Sequence, residues 1–228
     1  MRVFQNAEFI SCEDSNRIFK YLVEKEGKIH FTGDHLPGEF AAGETVDLKG
    51  CTVVPAFGDA HMHFSSFAFF NSGLDCRDAR DFDHLQEIIH EYRAGAKKEK
   101  VILGFGCSAH LVREKRLPDR HDLDRITNHP LMIVKYDGHA AVGNSALIAT
   151  MPAAILADPG FDKETGWFYL NAFYLAVNAI TSSVSLPALF RNLIAASDAL
   201  ARRGISLVHT SEGVGFPLDL DVDFMRFA

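Results

Sequence analysis

The segment from Val53 to His63 constrains the fold of this chain most, because an apolar run there ends in two histidines separated by one residue. Successive side chains of a β-strand point to opposite faces, so a strand predicts His61 and His63 on one side and Met62 on the other. Two imidazoles on one side can bind one metal ion, and neutral imidazole suits zinc and its neighbours in the first transition row. The alternative is a pair of surface histidines on a strand edge.

The chain divides near Gly50 into two parts with different patterns. Residues 1–50 contain short apolar runs separated by turn signals such as Glu26–Gly27, which predicts a small β-domain. In residues 51–228 apolar runs alternate with helical patterns, which predicts an α/β architecture with parallel strands. The strands predicted in this second part are Thr52–Phe57, Val101–Phe105, Leu131–Tyr136 and Ile205–His209.

Two helices have clear signals. Asp83 is predicted to cap the first helix, in which apolar residues recur on one face. Ser185 precedes the second helix, which has Pro187 in its first turn and a stop signal at Gly204. The apolar residues that define the two faces are Leu85, Ile88, Ile89 and Tyr92 in the first helix, and Leu189, Leu193, Ile194 and Leu200 in the second.

Composition and charge exclude several classes of partner. The chain has a net charge of −7, so a basic face for nucleic acid is not expected, and the run Lys97–Lys100 is predicted to be a solvated helix end. The most apolar segment, Phe168–Ile180, is shorter than the roughly 20 residues that cross a bilayer. We predict that its aromatic residues pack in the core rather than line a substrate pocket.

The N-terminus and the cysteines bear on the compartment. Residues 1–8 lack a basic and apolar export signal, which predicts a cytoplasmic protein. The four cysteines are widely spaced and form no Cys-x-x-Cys pair, which predicts buried, reduced thiols rather than a disulfide frame or a zinc finger.

The histidine segment also resembles the first barrel strand of the amidohydrolase superfamily, whose pattern reads roughly Val-x-Pro-Gly-Phe-x-Asp-x-His-x-His. Ala56 stands where that pattern has glycine, and Gly58 stands where it has a branched apolar residue. The matching positions are Pro55, Phe57, Asp59, His61 and His63.

A longer resemblance points to the amidohydrolase 3 branch, also called YtcJ-like. Members of that branch follow a strand with Asp-Gly-His-Ala and begin the next helix with Asn-Ser, and this chain is similar to them from about residue 28 to 212. The matching segments are Asp137–Ala140, Asn144–Leu147, Leu117–Asp124, His129–Pro130 and Thr165–Trp167.

The resemblance implies a (β/α)8 barrel, which typically takes roughly 250 residues by itself. With 228 residues in all, we predict a partial TIM barrel of about four βα units in residues 51–228, preceded by the N-terminal part of a composite β-sandwich in residues 1–50. The metal ligands that relatives supply from strands five, six and eight are not expected here. The chain is therefore interpreted as part of a longer protein, a truncated reading frame or a cleavage product.

The resemblance also implies site residues. His61 and His63 are the predicted metal ligands, and Glu212 is the candidate bridging carboxylate, with a loop glutamate held by backbone amides as the alternative. His139 and Asp137 are predicted to bind substrate, and the alternative for His139 is a loop histidine bonded to a neighbouring carbonyl.

The implied chemistry is metal-dependent hydrolysis of a small molecule at a non-peptide C–N bond of an amide, formamide or cyclic amide. One or two divalent ions, with zinc preferred, would activate water. The expected aspartate of strand eight is absent, so no catalytic residue is assigned, and we expect weak or no turnover by this chain alone. The alternative is a non-catalytic assembly module, a homo-oligomer formed through exposed half-barrel edges.

Overall fold

The computed structural model describes residues 1–95, 100–182, 184–212 and 222–223, so Lys97, Lys98 and Glu99 of the predicted helix end lie outside the described residues. The described chain folds as two units. The first contains Met1–Gly58 together with Gly204–Leu207. The second contains Asp59–Arg203 together with the described residues from Val208 onward.

The first unit is built on one five-stranded sheet. The strands are β1 (Arg2–Ile10), β2 (Ile18–Phe19), β3 (Tyr21–Lys25), β4 (Lys28–Gly33) and β5 (Glu44–Val53), and one 3-10 turn covers Gly38–Phe40. The central strand, β1, is parallel to β5 on one edge and antiparallel to β2 and β3 on the other. Glu26 and Gly27 both have positive φ, as the tight hairpin turn between β3 and β4 requires.

The second unit mixes helices and strands, and the predicted α/β class is confirmed. Two strands, β6 (Phe57–Met62) and β12 (Ile205–Thr210), begin in the first unit and end in the second. The other strands are β7 (Leu74–Asp75), β8 (Ile102–Cys107), β9 (Leu131–Lys135), β10 (Ala140–Gly143) and β11 (Trp167–Tyr169). The helices are α1 (Phe64–Phe70), α2 (Phe82–Gly95), α3 (Arg120–Ile126), α4 (Ser145–Ile148), α5 (Ala153–Leu156), α6 (Leu170–Thr181) and α7 (Leu186–Ala201).

A mixed sheet forms the centre of the second unit, with strand order β11-β10-β9-β8-β7. Strands β7, β8 and β9 are parallel, whereas β10 and β11 are added antiparallel. Both faces of the sheet are covered, because Leu131 and Ile133 pack in the cluster that contains Leu85 of α2, and Met132 and Val134 pack in the cluster that contains Phe173 of α6. This double burial explains why β9 is apolar without alternation.

The strand order corrects the predicted sequence of barrel strands. The four strands assigned to one barrel lie in two sheets, because β6 pairs with β12 while β8 and β9 belong to the mixed sheet. The first predicted strand, Thr52–Phe57, is also wrong in its bounds, since β5 ends at Val53 and β6 begins at Phe57. Pro55 lies in the break, where its missing N–H removes a ladder hydrogen bond.

The predicted helices are present, with two corrections. Helix α2 begins at Phe82, and Asp81 rather than Asp83 accepts the capping hydrogen bond from the His84 N–H at 2.8 Å. Helix α7 follows Ser185 as predicted, but Ile194 is 58% exposed, because it lies beside the buried stripe rather than in it.

The cysteines are only partly as predicted. All four are free thiols, and Cys76 and Cys107 are buried, but Cys12 and Cys51 are exposed in the first unit.

Within the described residues no single helix has both the length and the apolar composition to cross a bilayer. Helices α6 and α7 reach that length and composition only when they are taken together, and the pair is bent by 112°.

Candidate functional site

The histidine pair lies where β6 ends and α1 begins. His61 is the fifth residue of β6, and His63 is the N-cap residue of α1. Their rings are neighbours, with centroids 5.4 Å apart and planes at 80°. The backbone N–H of His61 donates to Asp59 Oδ1 at 3.0 Å, which fixes the strand immediately before the ring. The structure therefore brings the two predicted ligands together.

The tautomer of neutral His63 follows from its hydrogen bond. Its Nδ1 lies 2.6 Å from the carbonyl oxygen of Ser211, which can only accept, so Nδ1 carries the proton. The lone pair of a neutral imidazole is then on Nε2, the atom that remains able to bind a metal. A carbonyl that orients a ligating histidine in this way is a common feature of metal sites.

Glu212 lies at the start of helix α1. Its Oε1 accepts from the Ser65 N–H at 3.2 Å and from the Thr210 hydroxyl, while Thr210 Oγ1 accepts from the Phe64 N–H at 2.9 Å. These two side chains satisfy the first free amides of α1, which lacks a side-chain cap from His63. The observed contacts match the alternative interpretation of a glutamate held by a backbone amide, and the bridging role stays a prediction.

The kinds of donor group present here suit a transition-metal ion. His61 and His63 supply two imidazoles, the ligands that zinc prefers together with thiolate and carboxylate. Among the described ranges, no group of three or more histidine, cysteine, aspartate or glutamate side chains is arranged to hold an ion. The two histidines would therefore be part of a ligand set rather than the whole.

A cavity of about 270 Å³ opens beside His63 in the second unit. His63 and Met62 line it from the end of β6, and the loop between β9 and β10 lines it with His139 and Asp137. The remaining lining residues are Ser66, Phe67, Phe70, Phe105, Tyr136, Gly138, Phe173, Tyr174 and Val177. The structure thus collects three of the five predicted site residues around one cavity, whereas His61 and Glu212 do not line it.

The loop that carries His139 is tightly fixed. His139 Nδ1 lies 2.7 Å from the backbone carbonyl of Asp137, and the His139 N–H donates to Asp137 Oδ1 at 3.2 Å. Gly138 has φ of +74°, a conformation that favours glycine. The predicted alternative of a histidine bonded to a neighbouring carbonyl is therefore observed, and the ring still lines the cavity.

Lys135, the last residue of β9, also holds this loop, a role that was not predicted from the sequence. Its Nζ donates to Asp137 Oδ2 at 2.7 Å. Burial alone would raise the pKa of Asp137, but the hydrogen bonds from Lys135 and from the His139 amide outweigh burial and hold that pKa below its ordinary value. The same ion pair raises the pKa of Lys135. The spacing Lys-x-Asp-x-His in the sequence could have indicated these contacts.

The aromatic wall of the cavity was not predicted from the sequence, which indicated core packing alone for the aromatic residues of Phe168–Ile180. Phe173 is buried in the core as predicted, but Phe173 and Tyr174 line the cavity as well, so the segment has both roles. Phe70 and Phe105 stack on each other with centroids 5.5 Å apart. They come from α1 and β8, and no sequence pattern links residues so far apart.

Comparison with known proteins gives consistent results. The sequence profile described as the amidohydrolase family matches residues 44–222. An N-substituted formamide deformylase from Arthrobacter pascens is 30% identical over 149 residues, which are 63% of this chain and 28% of that protein. The exoenzymes regulatory protein AepA of Pectobacterium carotovorum subsp. carotovorum is 28% identical over 197 residues, which are 78% of this chain and 42% of that protein.

A solved structure is similar over most of this chain. A metal-dependent hydrolase from Pyrococcus horikoshii OT3, described as uncharacterized, has a TM-score of 0.63 and 25% identity, and the match covers 92% of this chain and 43% of that one. The chain therefore spans less than half the length of each of these three proteins.

Proposed function

Because this chain belongs to the amidohydrolase family, we propose that it contributes the first metal ligands and a substrate cavity to a metal-dependent hydrolase of non-peptide C–N bonds. The observation that carries the proposal is the His61–His63 pair, in which the Ser211 carbonyl leaves His63 Nε2 unprotonated. The deformylase and the metal-dependent hydrolase among its relatives support this class of reaction.

The sheet order supports a specific version of the barrel proposal. We propose that β6 and β12 are neighbouring strands of a (β/α)8 barrel and that the mixed sheet of β7–β11 is inserted between them in sequence. The pairing of β6 with β12, and of neither with the mixed sheet, favours this arrangement among the described residues. The N-terminal sheet would then be part of a β-sandwich completed by other residues.

His61 and His63 would hold the metal, for which we propose zinc. When bound, a divalent ion polarises the carbonyl of the scissile bond and lowers the pKa of bound water toward about 7. The Ser211 carbonyl keeps the His63 ring in one orientation and one tautomer. Glu212 holds the start of α1 beside this strand end and remains a proposed bridging ligand.

The cavity would bind the substrate. Its aromatic wall would contact the apolar part of the substrate, and His139 and Asp137 would contact the polar part, as expected from the sequence. The proposed substrate is an amide, formamide or cyclic amide. The described residues supply no carboxylate that we can assign as the proton shuttle, so turnover by this chain alone is expected to be weak. A cytoplasmic location stays a prediction.

Bound metal per chain tests the proposal. The purified protein is stripped with chelator, loaded with zinc, and analysed by mass spectrometry of the metal. We expect zinc in the wild-type protein and its loss in His61→Ala/His63→Ala. The matched control is His35→Ala/His121→Ala, which removes two exposed histidines that belong neither to β6 nor to the cavity lining and should retain zinc.

Two outcomes would contradict the proposal. The first is no zinc in the wild-type protein, and the second is equal zinc in the wild type and in His61→Ala/His63→Ala.

Hydrolysis is measured separately, with a panel of N-formyl and N-acyl amines as substrates. Robust metal-dependent turnover by the 228-residue chain would refute the expectation of weak activity while supporting the hydrolase assignment.

A non-catalytic role is the second candidate. Phe57 and Leu207, on β6 and β12, are 64% and 69% exposed, and exposed apolar side chains on a sheet favour association. One relative is named a regulatory protein rather than an enzyme. We therefore propose assembly through these strands as the alternative, which the oligomeric state of the purified chain tests.

A further inference from the structure

The end of β12 and the residue after it hold the backbone on both sides of His63. The carbonyl of Met62, immediately before His63, accepts from the Ser211 N–H at 2.8 Å and lies 3.3 Å from Thr210 Oγ1. The N–H of Phe64, immediately after His63, donates to Thr210 Oγ1 at 2.9 Å. The Thr210 hydroxyl therefore contacts both peptide groups that flank a predicted metal ligand.

The same hydroxyl contacts Glu212, the candidate bridging carboxylate. A threonine hydroxyl has one proton to donate and two lone pairs that accept. Thr210 Oγ1 accepts from the Phe64 N–H, and its proton has two acceptors within reach, Glu212 Oε1 and the Met62 carbonyl. Glu212 Oε1 also accepts from the Ser65 N–H at 3.2 Å. One side chain at the end of β12 thus connects the strand that carries the histidines with the carboxylate predicted to join them.

The orientation of the His63 ring depends on this backbone. The Nδ1 of His63 lies 2.6 Å from the Ser211 carbonyl, and hydrogen bonds weaken steeply when their angle departs from linearity. A displacement of the His63 backbone relative to Ser211 would weaken that bond. The neutral ring could then adopt the other tautomer, in which Nε2 carries the proton and cannot bind a metal.

Resting on the proposed function, we propose that Thr210 is a positioning residue of the metal site. Its hydroxyl holds the peptide groups of Met62 and Phe64, and it thereby keeps the His63 ring against the Ser211 carbonyl with Nε2 unprotonated. Thr210 does not line the cavity, so it acts through His63 rather than by touching the substrate.

A purely structural role for Thr210 makes a different prediction. As a cap of α1 alone, the hydroxyl would stabilise the helix by accepting the Phe64 N–H and would leave the His63 ring unaffected. Loss of stability therefore does not distinguish the two roles. The tautomer of His63 and the affinity for zinc do distinguish them.

The tautomer is measured in the metal-free protein. Long-range proton–nitrogen NMR at about pH 8, above the ordinary imidazole pKa, separates protonated from unprotonated ring nitrogens, and His63→Ala assigns the His63 signals. We expect a single tautomer with the proton on Nδ1 in the wild type. Thr210→Val replaces the hydroxyl by a methyl group on the same β-branched side chain, and it should give a mixture of both tautomers. Thr210→Ser retains the hydroxyl and should restore the single tautomer.

Zinc affinity is measured by competition with a chromophoric chelator. We expect Thr210→Val to bind zinc about 10- to 100-fold more weakly than the wild type, the usual effect of removing a group that orients a metal ligand. Thr210→Ser should bind zinc like the wild type. Circular dichroism checks that each variant folds.

The matched control is Thr127→Val, which also removes a hydroxyl that accepts a backbone N–H. Thr127 Oγ1 accepts from the His129 N–H at 3.1 Å, and Thr127 belongs neither to β6 nor to β12 nor to the cavity lining. This variant should lower the free energy of unfolding and leave the His63 signals and the zinc affinity at their wild-type values.

Four results would overturn the proposal. These are an unchanged His63 tautomer in Thr210→Val, an unchanged zinc affinity in Thr210→Val, an equal loss of affinity in Thr127→Val, and a Thr210→Ser protein that behaves like Thr210→Val. The proposed function fails by a different result, a wild-type protein that binds no zinc. In that case the metal-free spectra still decide whether Thr210 positions the His63 ring.

Discussion

At the scale of single residues, two histidines have the same kind of hydrogen bond. Nδ1 of His63 is held by the Ser211 carbonyl, and Nδ1 of His139 is held by the Asp137 carbonyl. Both rings therefore present Nε2 as the unprotonated atom when neutral, and both line the same cavity. One is proposed to bind metal and the other to contact the polar part of the substrate, and this difference comes from their neighbours: His61 lies beside His63, and a fixed polar loop surrounds His139.

The first prediction concerns Glu212. Glu212→Ala removes the acceptor for the Ser65 amide at the start of α1, so it should lower the free energy of unfolding by about 1 kcal/mol. Glu212→Gln keeps an oxygen acceptor and should lower it less. Urea denaturation measures both. Glu87→Ala, on the exposed face of α2, is the matched control and should change stability by less than about 0.5 kcal/mol.

The same variants distinguish the two interpretations of Glu212. If the side chain only caps α1, zinc content per folded chain stays at the wild-type value in Glu212→Gln. If it also bridges a metal, zinc content falls in Glu212→Gln although the protein remains folded. Stability unchanged in Glu212→Ala would contradict the capping role.

At the scale of elements, helix α3 shows how a short segment is fixed. Asp119 and Asp122 form a reciprocal capping box, in which each carboxylate accepts from the other residue's backbone N–H at 2.9 Å. Asp122 is buried and also pairs with Arg116 and Arg125. Burial would raise the pKa of Asp122, but the hydrogen bonds and the two cations outweigh it and hold the pKa below its ordinary value.

The second prediction follows from that shift. Because the pKa of Asp122 is lower in the folded state than in the unfolded state, its contribution to stability is present above the unfolded value of about 4. That contribution is lost as pH falls through the lower folded value. We expect Asp122→Asn to be less stable than the wild type by about 2 kcal/mol at pH 7, a value reduced by the exposure of both arginines.

Urea denaturation across pH measures this difference. It should begin to shrink as the pH falls below about 4, where the unfolded carboxylate becomes protonated, and it should disappear only below the lower folded value, where the carboxylate is protonated in both states. Asp83→Asn is the matched control, since the Asp83 side chain is 90% exposed and its arginine contact is loose at 3.5 Å. A stability difference that is constant from pH 7 to pH 3 would contradict the role assigned to the Asp122 charge.

Elements differed in how well local sequence defined them. Helix α7 was predicted because its cap, its apolar stripe and its stop at Gly204 all lie within one segment. The start of α2 was misplaced because Asp81 and Asp83 are both good caps, and the choice depends on which one meets the His84 amide. Strand β6 was merged with the end of β5, since both segments are apolar and only pairing with β1 or β12 separates them.

At the scale of the whole molecule, the order of strands decides which residues meet. Strand β12 follows β6 by more than a hundred residues and still pairs with it, so Ser211 and Thr210 reach the start of α1. The mixed sheet lies between them in sequence and supplies the loop with His139. A linear count of strands cannot reveal this, because alternation of strands and helices is compatible with many strand orders.

The third prediction concerns association. Phe57 and Leu207 expose most of their apolar surface, so Phe57→Lys/Leu207→Lys should weaken self-association. Sedimentation velocity at increasing protein concentration measures it. We expect oligomers of the wild type and of the control Leu111→Lys, whose side chain is equally exposed at 62% but lies outside β6 and β12. A wild-type protein that stays monomeric at every concentration would contradict the assembly alternative.

The sequence by itself determined the features that depend on nearby residues. These are the histidine pair, the turn at Glu26–Gly27, the helix α7 and the family motifs, because each depends on residue types at short, fixed spacings. Only the tertiary structure decided the pairing of β6 with β12, the capping contact of Glu212 and the aromatic cavity. Those features join segments far apart in the chain, and burial of apolar faces rather than local preference selects which segments meet.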